Sequence, residues 1–188
     1  MVIRKFKISF NSPVVLTFSI VCFAATLLGI LTSGKATDLI FSVYRSPLYE
    51  PMTYFRFLGH VFGHQDWNHF IGNITFILLL GPLLEEKYGS KNIALIIIVT
   101  AIVTGLSNYI FFPNIQLLGS SGIVFSFILL SSITSIKSGT IPLTFILVAT
   151  IYITGQIFES IFIQDNVSQL THILGGGIGA YFGFKMKI

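Results

Sequence analysis

The residues of this chain that could carry out chemistry include a serine at the start of a predicted helix. Ser121 lies in the segment Gly119-Ser120-Ser121-Gly122, a run of four small residues. A helix N-terminus presents free backbone N–H groups and the positive end of the helix dipole, and both can stabilise an oxyanion. Serine becomes a nucleophile when a base such as histidine accepts its proton. The segment therefore indicates acyl transfer, although four small residues in a row also occur by chance.

Four histidines are predicted to lie at the level of Ser121, in the outer half of a helical bundle. His172 stands near the outer end of the last predicted helix, where it could act as the base. His69 opens the second long predicted helix and Asn73 follows at i+4, so their side chains face the same way. These two donors could complete an oxyanion hole. The remaining histidines are His60 and His64.

The histidines could instead ligate a metal ion or haem. His60, His64 and His69 are separated by 4 and 5 residues, and on one continuous helix His69 would lie roughly 140° around the axis from His64. The single cysteine, Cys22, excludes disulfide scaffolds and CxxC metal sites. We therefore predict no metal and no other cofactor.

Small residues could bring the serine and the candidate base together. Gly175 and Gly179 lie at i and i+4 in the last predicted helix, on about the same face as His172. Stripes of small residues allow membrane helices to approach closely. The helix that starts at Ser121 has a small face of its own, beginning at Gly122. If the two faces pack together, serine and histidine come within reach, although ordinary helix packing would also explain the stripe.

The composition indicates that these helices are embedded in a membrane. Hydrophobic residues make up 53% of the 188 residues and charged residues 10%, whereas soluble domains are about 25% charged. The net charge of +4 therefore does not indicate a nucleic-acid partner. A membrane span needs about 20 apolar residues. The stretches without Asp, Glu, Lys or Arg are 8–34, 67–84, 92–136, 138–158 and 166–184, and dividing 92–136 at Phe112-Pro113-Asn114 gives six spans.

The distribution of Lys and Arg predicts the orientation, because cytoplasmic faces of membrane proteins are enriched in them. Six spans place eight basic residues on one side and three on the other. Both termini are therefore predicted to be cytoplasmic. The eight are Arg4, Lys5, Lys7, Lys87, Lys91, Lys137, Lys185 and Lys187, and the three are Lys35, Arg45 and Arg56.

We predict an all-α membrane protein, a six-transmembrane-helix bundle in a single domain over 1–188. A long extracytoplasmic loop, 32–67, joins the first two spans, and its aromatic residues indicate the membrane interface. The fourth helix is about 24 Å long, so its N-terminus should end inside the membrane at a water-filled pocket. The predicted helices are 13–31, 68–86, 92–111, 121–136, 141–158 and 168–186.

Five motifs occur in order along the predicted helices and loops. They are Phe55-Arg56, His64…His69-x-x-x-Asn73, Gly81…Glu85…Gly89, Gly119-x-Ser121-Gly122 and His172-x-x-Gly175-x-x-x-Gly179. With this highly specific combination, the sequence from about Phe55 to Gly183 resembles the rhomboid family of intramembrane serine proteases. Three positions depart from the family pattern: Phe55 stands for Trp, Thr171 for Ala and Phe125 for Tyr.

The resemblance implies a rhomboid-like bundle and assigns a role to each matching residue. Ser121 would be the nucleophile and His172 the general base, a dyad without an acid. The oxyanion would be bound by His69, Asn73 and the backbone N–H of Ser121, with His64 and Gly119 in support. The residues expected to pack near the site are Gly122, Phe125, Gly175 and Gly179.

The implied function is hydrolysis of peptide bonds in or next to the transmembrane segments of membrane proteins. The implied partners are transmembrane protein substrates and the lipid bilayer. The alternative is a catalytically inactive rhomboid-like protein that binds membrane clients, and the presence of Ser121, His172, His69 and Asn73 together favours the enzyme. Small size and the lack of a targeting extension favour a bacterial plasma membrane. Substrate identity, cleavage site and oligomeric state are not predicted.

Overall fold

A computed structural model of the chain describes residues 8–134, 141, 143–162 and 166–186. Some of the sequence predictions concern residues outside this part of the chain. They include the last two positions of the predicted helix 121–136 and the basic residues Arg4, Lys5, Lys7, Lys137 and Lys187.

The described residues form eight α-helices, and the strand pairing among them is limited to an isolated antiparallel bridge between Val43 and Leu117. The prediction of an all-α chain is therefore confirmed for this part of the molecule. The helices are α1 (Pro13–Leu31), α2 (Lys35–Ile40), α3 (Pro51–Gly59), α4 (Trp67–Tyr88), α5 (Ser90–Phe111), α6 (Ser121–Ser132), α7 (Leu143–Phe162) and α8 (Asn166–Lys185).

Three helices of the described part, α1, α4 and α5, are long and apolar enough to cross a membrane. Only 39%, 28% and 44% of their most apolar 18-residue stretches is buried inside the protein. Large apolar side chains such as Leu31, Leu83 and Ile98 consequently remain exposed on the outside of the protein. Such extensive apolar surface is expected where lipid, not water, surrounds the helices.

Helix α6 is shorter than its neighbours. It begins at Ser121, as predicted, but its 12 residues span only about 18 Å, against ~30 Å for a membrane core. The helix ends at Ser132, whereas the sequence analysis extended it to 136. At this end of the helix, the hydroxyl groups of Ser131 and Ser132 donate hydrogen bonds to the carbonyl oxygens three residues earlier.

The connection between α1 and α4 contains two helices, α2 and α3, that the sequence analysis did not predict. Pro51 starts α3, because its fixed φ suits the first helical position. Arg56 on this helix is buried, 5% exposed, and donates from Nε and Nη2 to the carbonyl oxygen of Leu39. The buried guanidinium group thus ties α3 to α2 within this connection.

A carboxylate of α4 holds the start of α1 in place. The Glu85 side chain is 4% exposed and accepts hydrogen bonds from the backbone N–H groups of Val14 (3.0 Å) and Val15 (2.9 Å). It also accepts from the Ser90 hydroxyl. These N–H groups have no partner within α1, so Glu85 satisfies them and places a negative charge at the positive end of the dipole. The contact fixes α1 against the end of α4.

The main hydrophobic core lies between α1, α4, α5 and α6. Val15, Ile77, Ile96 and Phe127, one from each of these helices, are completely buried within it. The start of α6 lies near one end of the bundle, beside the loop that precedes α4.

Candidate active site

The start of α6 exposes backbone donors without a side-chain cap. Gly119 has a φ of +112°, a conformation that favours glycine, and its N–H donates to the carbonyl oxygen of His60 at 2.9 Å. Ser120 is the N-cap residue, and its carbonyl oxygen accepts from the N–H groups of Ile123 and Val124. Within the described part of the chain, the N–H groups at positions 121 and 122 have no hydrogen-bond partner. These two donors therefore remain available to a ligand.

His69 and Asn73 lie against Gly119. A Cβ built on this glycine would be 2.7 Å from Cε1 and 2.8 Å from Nε2 of His69, and 3.7 Å from Nδ2 of Asn73. The Asn73 amide nitrogen is buried and, among the described residues, has no hydrogen-bond acceptor. The Asp66 carboxylate caps α4 by accepting from the His69 N–H at 2.8 Å, which fixes the first turn of this helix. Two side-chain donors are thus held beside the start of α6.

Helices α6 and α8 pack with their backbones in contact. A Cβ on Gly175 would overlap the carbonyl oxygen of Gly122, and one on Gly179 would overlap that of Ser126. Among the described helices, this pair forms the most extensive contact. The glycine stripe predicted in the last helix therefore forms the seam with the helix that carries Ser121.

The seam brings His172 alongside the first turns of α6. His172 lies one turn before Gly175, and its ring is 4.2 Å from the ring of Phe125, measured between centroids. Phe125 follows Ser121 by one turn. Ser121 and His172 are both partly buried, and they lie at the same end of the α6–α8 contact. Acyl transfer requires a nucleophile, a base and oxyanion donors, and a serine, a histidine and unbonded backbone N–H groups are the corresponding groups at this end of the contact.

His60 and His64 precede α4 in the chain and are not part of that helix. His60 caps α3, with Nδ1 3.1 Å from the Arg56 carbonyl oxygen and Nε2 3.2 Å from the Thr104 hydroxyl. Burial lowers the pKa of His60 to about 4. Burial, together with the nearby charge of His69, also lowers the pKa of His64 to about 4. Both are therefore neutral at pH 7 and occupy the interior as hydrogen-bonding groups.

A metal site is not formed by these side chains. The described residues contain no group of three His, Cys, Asp or Glu side chains placed to hold a metal ion. The predicted helix 68–86 begins after His60 and His64, and α4 likewise begins after them, at Trp67.

Two contacts that hold the loop before α6 were not predicted. The Ser120 hydroxyl lies 3.1 Å from Nε2 of His64, and both residues are almost completely buried. Further back in the loop, Leu117 forms its two-way backbone bridge with Val43. The first serine of Gly119-Ser120-Ser121-Gly122, Ser120, was a signal for the contact with His64. The sequence does not indicate its partner, because 56 residues separate Ser120 from His64.

Comparison with known families identifies a match that covers most of the chain. The family model described as the rhomboid domain matches residues 51–187. This range begins at α3 and includes every residue of the candidate site described above. The matched range therefore covers helices α3 to α8.

The chain is also similar to rhomboid-related proteins of animals and a plant. It is 30% identical over 138 residues to "Rhomboid-related protein 1" of Caenorhabditis elegans, covering 69% of this chain and 39% of the relative. It is 30% identical over 79 residues to "Rhomboid-like protein 11, chloroplastic" of Arabidopsis thaliana, covering 42% and 28%. It is 25% identical over 160 residues to "Rhomboid-related protein 2" of Mus musculus, an alignment that covers 74% of this chain and 53% of the relative. The matches thus span about half or less of each relative's length.

Proposed function

Because the chain belongs to the rhomboid family and is an integral membrane protein, we propose that it is an intramembrane serine endopeptidase. Its substrates would be membrane proteins, cut at peptide bonds in or next to their transmembrane segments. The observation that carries the proposal is the α6–α8 seam. This contact holds the Ser121 end of α6 and the His172 end of α8 together, beside unoccupied donors.

The proposed mechanism uses a serine–histidine dyad. His172 accepts the proton of the Ser121 hydroxyl as Oγ attacks the carbonyl carbon of the scissile bond. The resulting tetrahedral oxyanion accepts hydrogen bonds from the Ser121 N–H, the Asn73 amide and His69. The protonated His172 then gives its proton to the leaving amine. Water hydrolyses the acyl-enzyme by the same steps and restores the free serine.

The unpaired Asn73 amide supports this assignment of the oxyanion site. A buried N–H donor without an acceptor is costly in a resting protein and is usually explained by a bound or transient partner. The Asn73 amide nitrogen lies next to Gly119, close to the free N–H groups of α6. An oxyanion that forms only during the reaction would supply the missing acceptor for these groups.

We also propose six membrane spans, with both termini in the cytoplasm. Support comes from the eight-to-three distribution of basic residues, combined with the three apolar helices α1, α4 and α5. Single cysteines at Lys137 and Asp165, in a Cys22→Ser background, would test this arrangement. An impermeant thiol reagent applied from outside should label position 165 only. Location in a bacterial plasma membrane stays a prediction, since the three relatives above are eukaryotic.

Cleavage of a model transmembrane substrate by the purified protein tests the proposed activity. We expect cleavage by the unchanged protein and a loss of at least about 10³-fold in Ser121→Ala and His172→Ala. Ser131→Ala, at the other end of α6, should cleave normally. Substrate binding without cleavage by the unchanged protein would contradict the proposal and would favour the inactive client-binding alternative.

A further inference from the structure

The N-cap residue of α6 does not cap its helix. Serine is a preferred N-cap residue because its side-chain oxygen accepts a hydrogen bond from the N–H of the second or third helical residue. The Ser120 side chain makes no such bond. Its hydroxyl lies instead 3.1 Å from Nε2 of His64. Among the described residues, the N–H of Gly122, the second helical residue, consequently has no partner, and neither does that of Ser121.

The surroundings of His64 determine the direction of this hydrogen bond. Nδ1 of His64 lies 3.2 Å from the carbonyl oxygen of Phe62 and 3.4 Å from the Thr26 hydroxyl oxygen. The Thr26 hydroxyl already donates its proton to the carbonyl oxygen of Cys22 at 2.8 Å, so it can only accept from the ring. Nδ1 therefore carries the ring proton, and Nε2 accepts the proton of the Ser120 hydroxyl.

Burial favours this direction of the hydrogen bond between the Ser120 hydroxyl and Nε2 of His64. Ser120 is 0% exposed and His64 is 1% exposed, so water cannot supply an alternative partner to either group. The His64 ring also packs against Phe70, at 5.5 Å, and His69, at 5.1 Å between centroids. A protonated His64 would donate from Nε2 to the Ser120 hydroxyl oxygen instead of accepting its proton, but the pKa of His64 lies at about 4. At neutral pH the ring stays an acceptor.

We propose that His64 is a positioning residue for the oxyanion site: it holds the Ser120 hydroxyl away from the start of α6, so that the N–H of Gly122, next to the Ser121 N–H, and the helix dipole stay free as further support for the oxyanion. This inference rests on the proposed protease function. Without the acceptor at His64, the Ser120 hydroxyl rotates to its usual N-cap position. Its oxygen then accepts from a free N–H group and places electron density where the oxyanion forms.

A double substitution distinguishes this role from a general effect on folding. His64→Phe keeps an aromatic ring in contact with Phe70 but removes the acceptor, so it should lower kcat about 10-fold or more with KM nearly unchanged. Ser120→Ala, which has no hydroxyl to compete, should lower kcat by less than about 3-fold. The combination of His64→Phe with Ser120→Ala should recover kcat to the level of Ser120→Ala alone.

A conservative variant and a parallel measurement complete the test. His64→Gln restores an acceptor and should be more active than His64→Phe, and unfolding temperatures of all variants should be measured alongside. If His64→Phe does not fold, His64→Leu provides the same comparison, alone and combined with Ser120→Ala. A double variant as slow as the single His64 variant would overturn the inference. If the unchanged protein neither cleaves substrate nor reacts with a fluorophosphonate, the proposed function itself fails.

Discussion

Gly175 of α8 lies so close to Gly122 of α6 that a Cβ on Gly175 would overlap the Gly122 carbonyl oxygen. Gly122 directly follows Ser121, and Gly175 follows His172 by one turn. The distance between the proposed nucleophile and its base therefore depends on two helices whose backbones touch. A side chain at this point can only be accommodated if the helices move apart.

Gly175→Ala should accordingly lower activity much more than a matched substitution on the same helix. A displacement near 1 Å can cost about 10²-fold in rate, and we expect a loss of this order. Gly177→Ala is the control, because in the described part of the chain a Cβ at Gly177 would meet no heavy atom of another element within 4 Å. Cleavage rates and unfolding temperatures should be measured for both. Equal rates in the two variants would show that the seam does not set the site geometry.

Asn73→Ala should lower kcat while leaving KM nearly unchanged. Among the described residues the Asn73 amide, beside Gly119, has no acceptor, and loss of an oxyanion donor typically costs about 10²-fold or more in kcat. Asn92→Ala provides the control, since the Asn92 amide donates to the Tyr88 carbonyl oxygen within the junction of α4 and α5. A rise in KM with normal kcat would instead assign Asn73 to substrate binding.

Glu85→Gln should destabilise the protein without a direct effect on the site. Its carboxylate accepts from the N–H groups of Val14 and Val15, and loss of a helix cap costs about 0.5–2 kcal/mol. Glu86→Gln is the matched control, because Glu86 is exposed and next in sequence. Thermal unfolding in detergent measures both. An equal change in the two variants would mean that the cap contributes nothing measurable.

Stability should fall as the pH falls from about 6.5 to about 4. The unfolded chain binds protons at His60 and His64 near pH 6.5, whereas burial lowers their pKa in the folded protein to about 4. Between these values the unfolded state holds more protons, so acid favours unfolding. His64→Gln should unfold with a weaker dependence on pH over this range. If the unchanged protein and His64→Gln showed the same pH dependence of unfolding, the lowering of the His64 pKa by burial would be contradicted.

The helix that carries the proposed nucleophile was predictable, whereas the contacts that hold it were not. Gly119 to Gly122 signalled the start of α6, and the boundaries of α1 matched 13–31, because both depend on local sequence. Glu85 caps α1 across 71 residues, and such pairing depends on the packed fold. The helices α2 and α3 were missed because aromatic and proline residues suggested an irregular interfacial loop.

In the proposed mechanism Ser121 is the nucleophile and His172 is the base that activates it. Reaction of the purified protein with a fluorophosphonate, followed by mass spectrometry of the labelled peptide, tests it most directly. We predict that the label is on Ser121, that Ser120→Ala is still labelled there, and that His172→Ala is not labelled. A label on Ser120, or undiminished labelling of Ser121 in His172→Ala, would contradict the account.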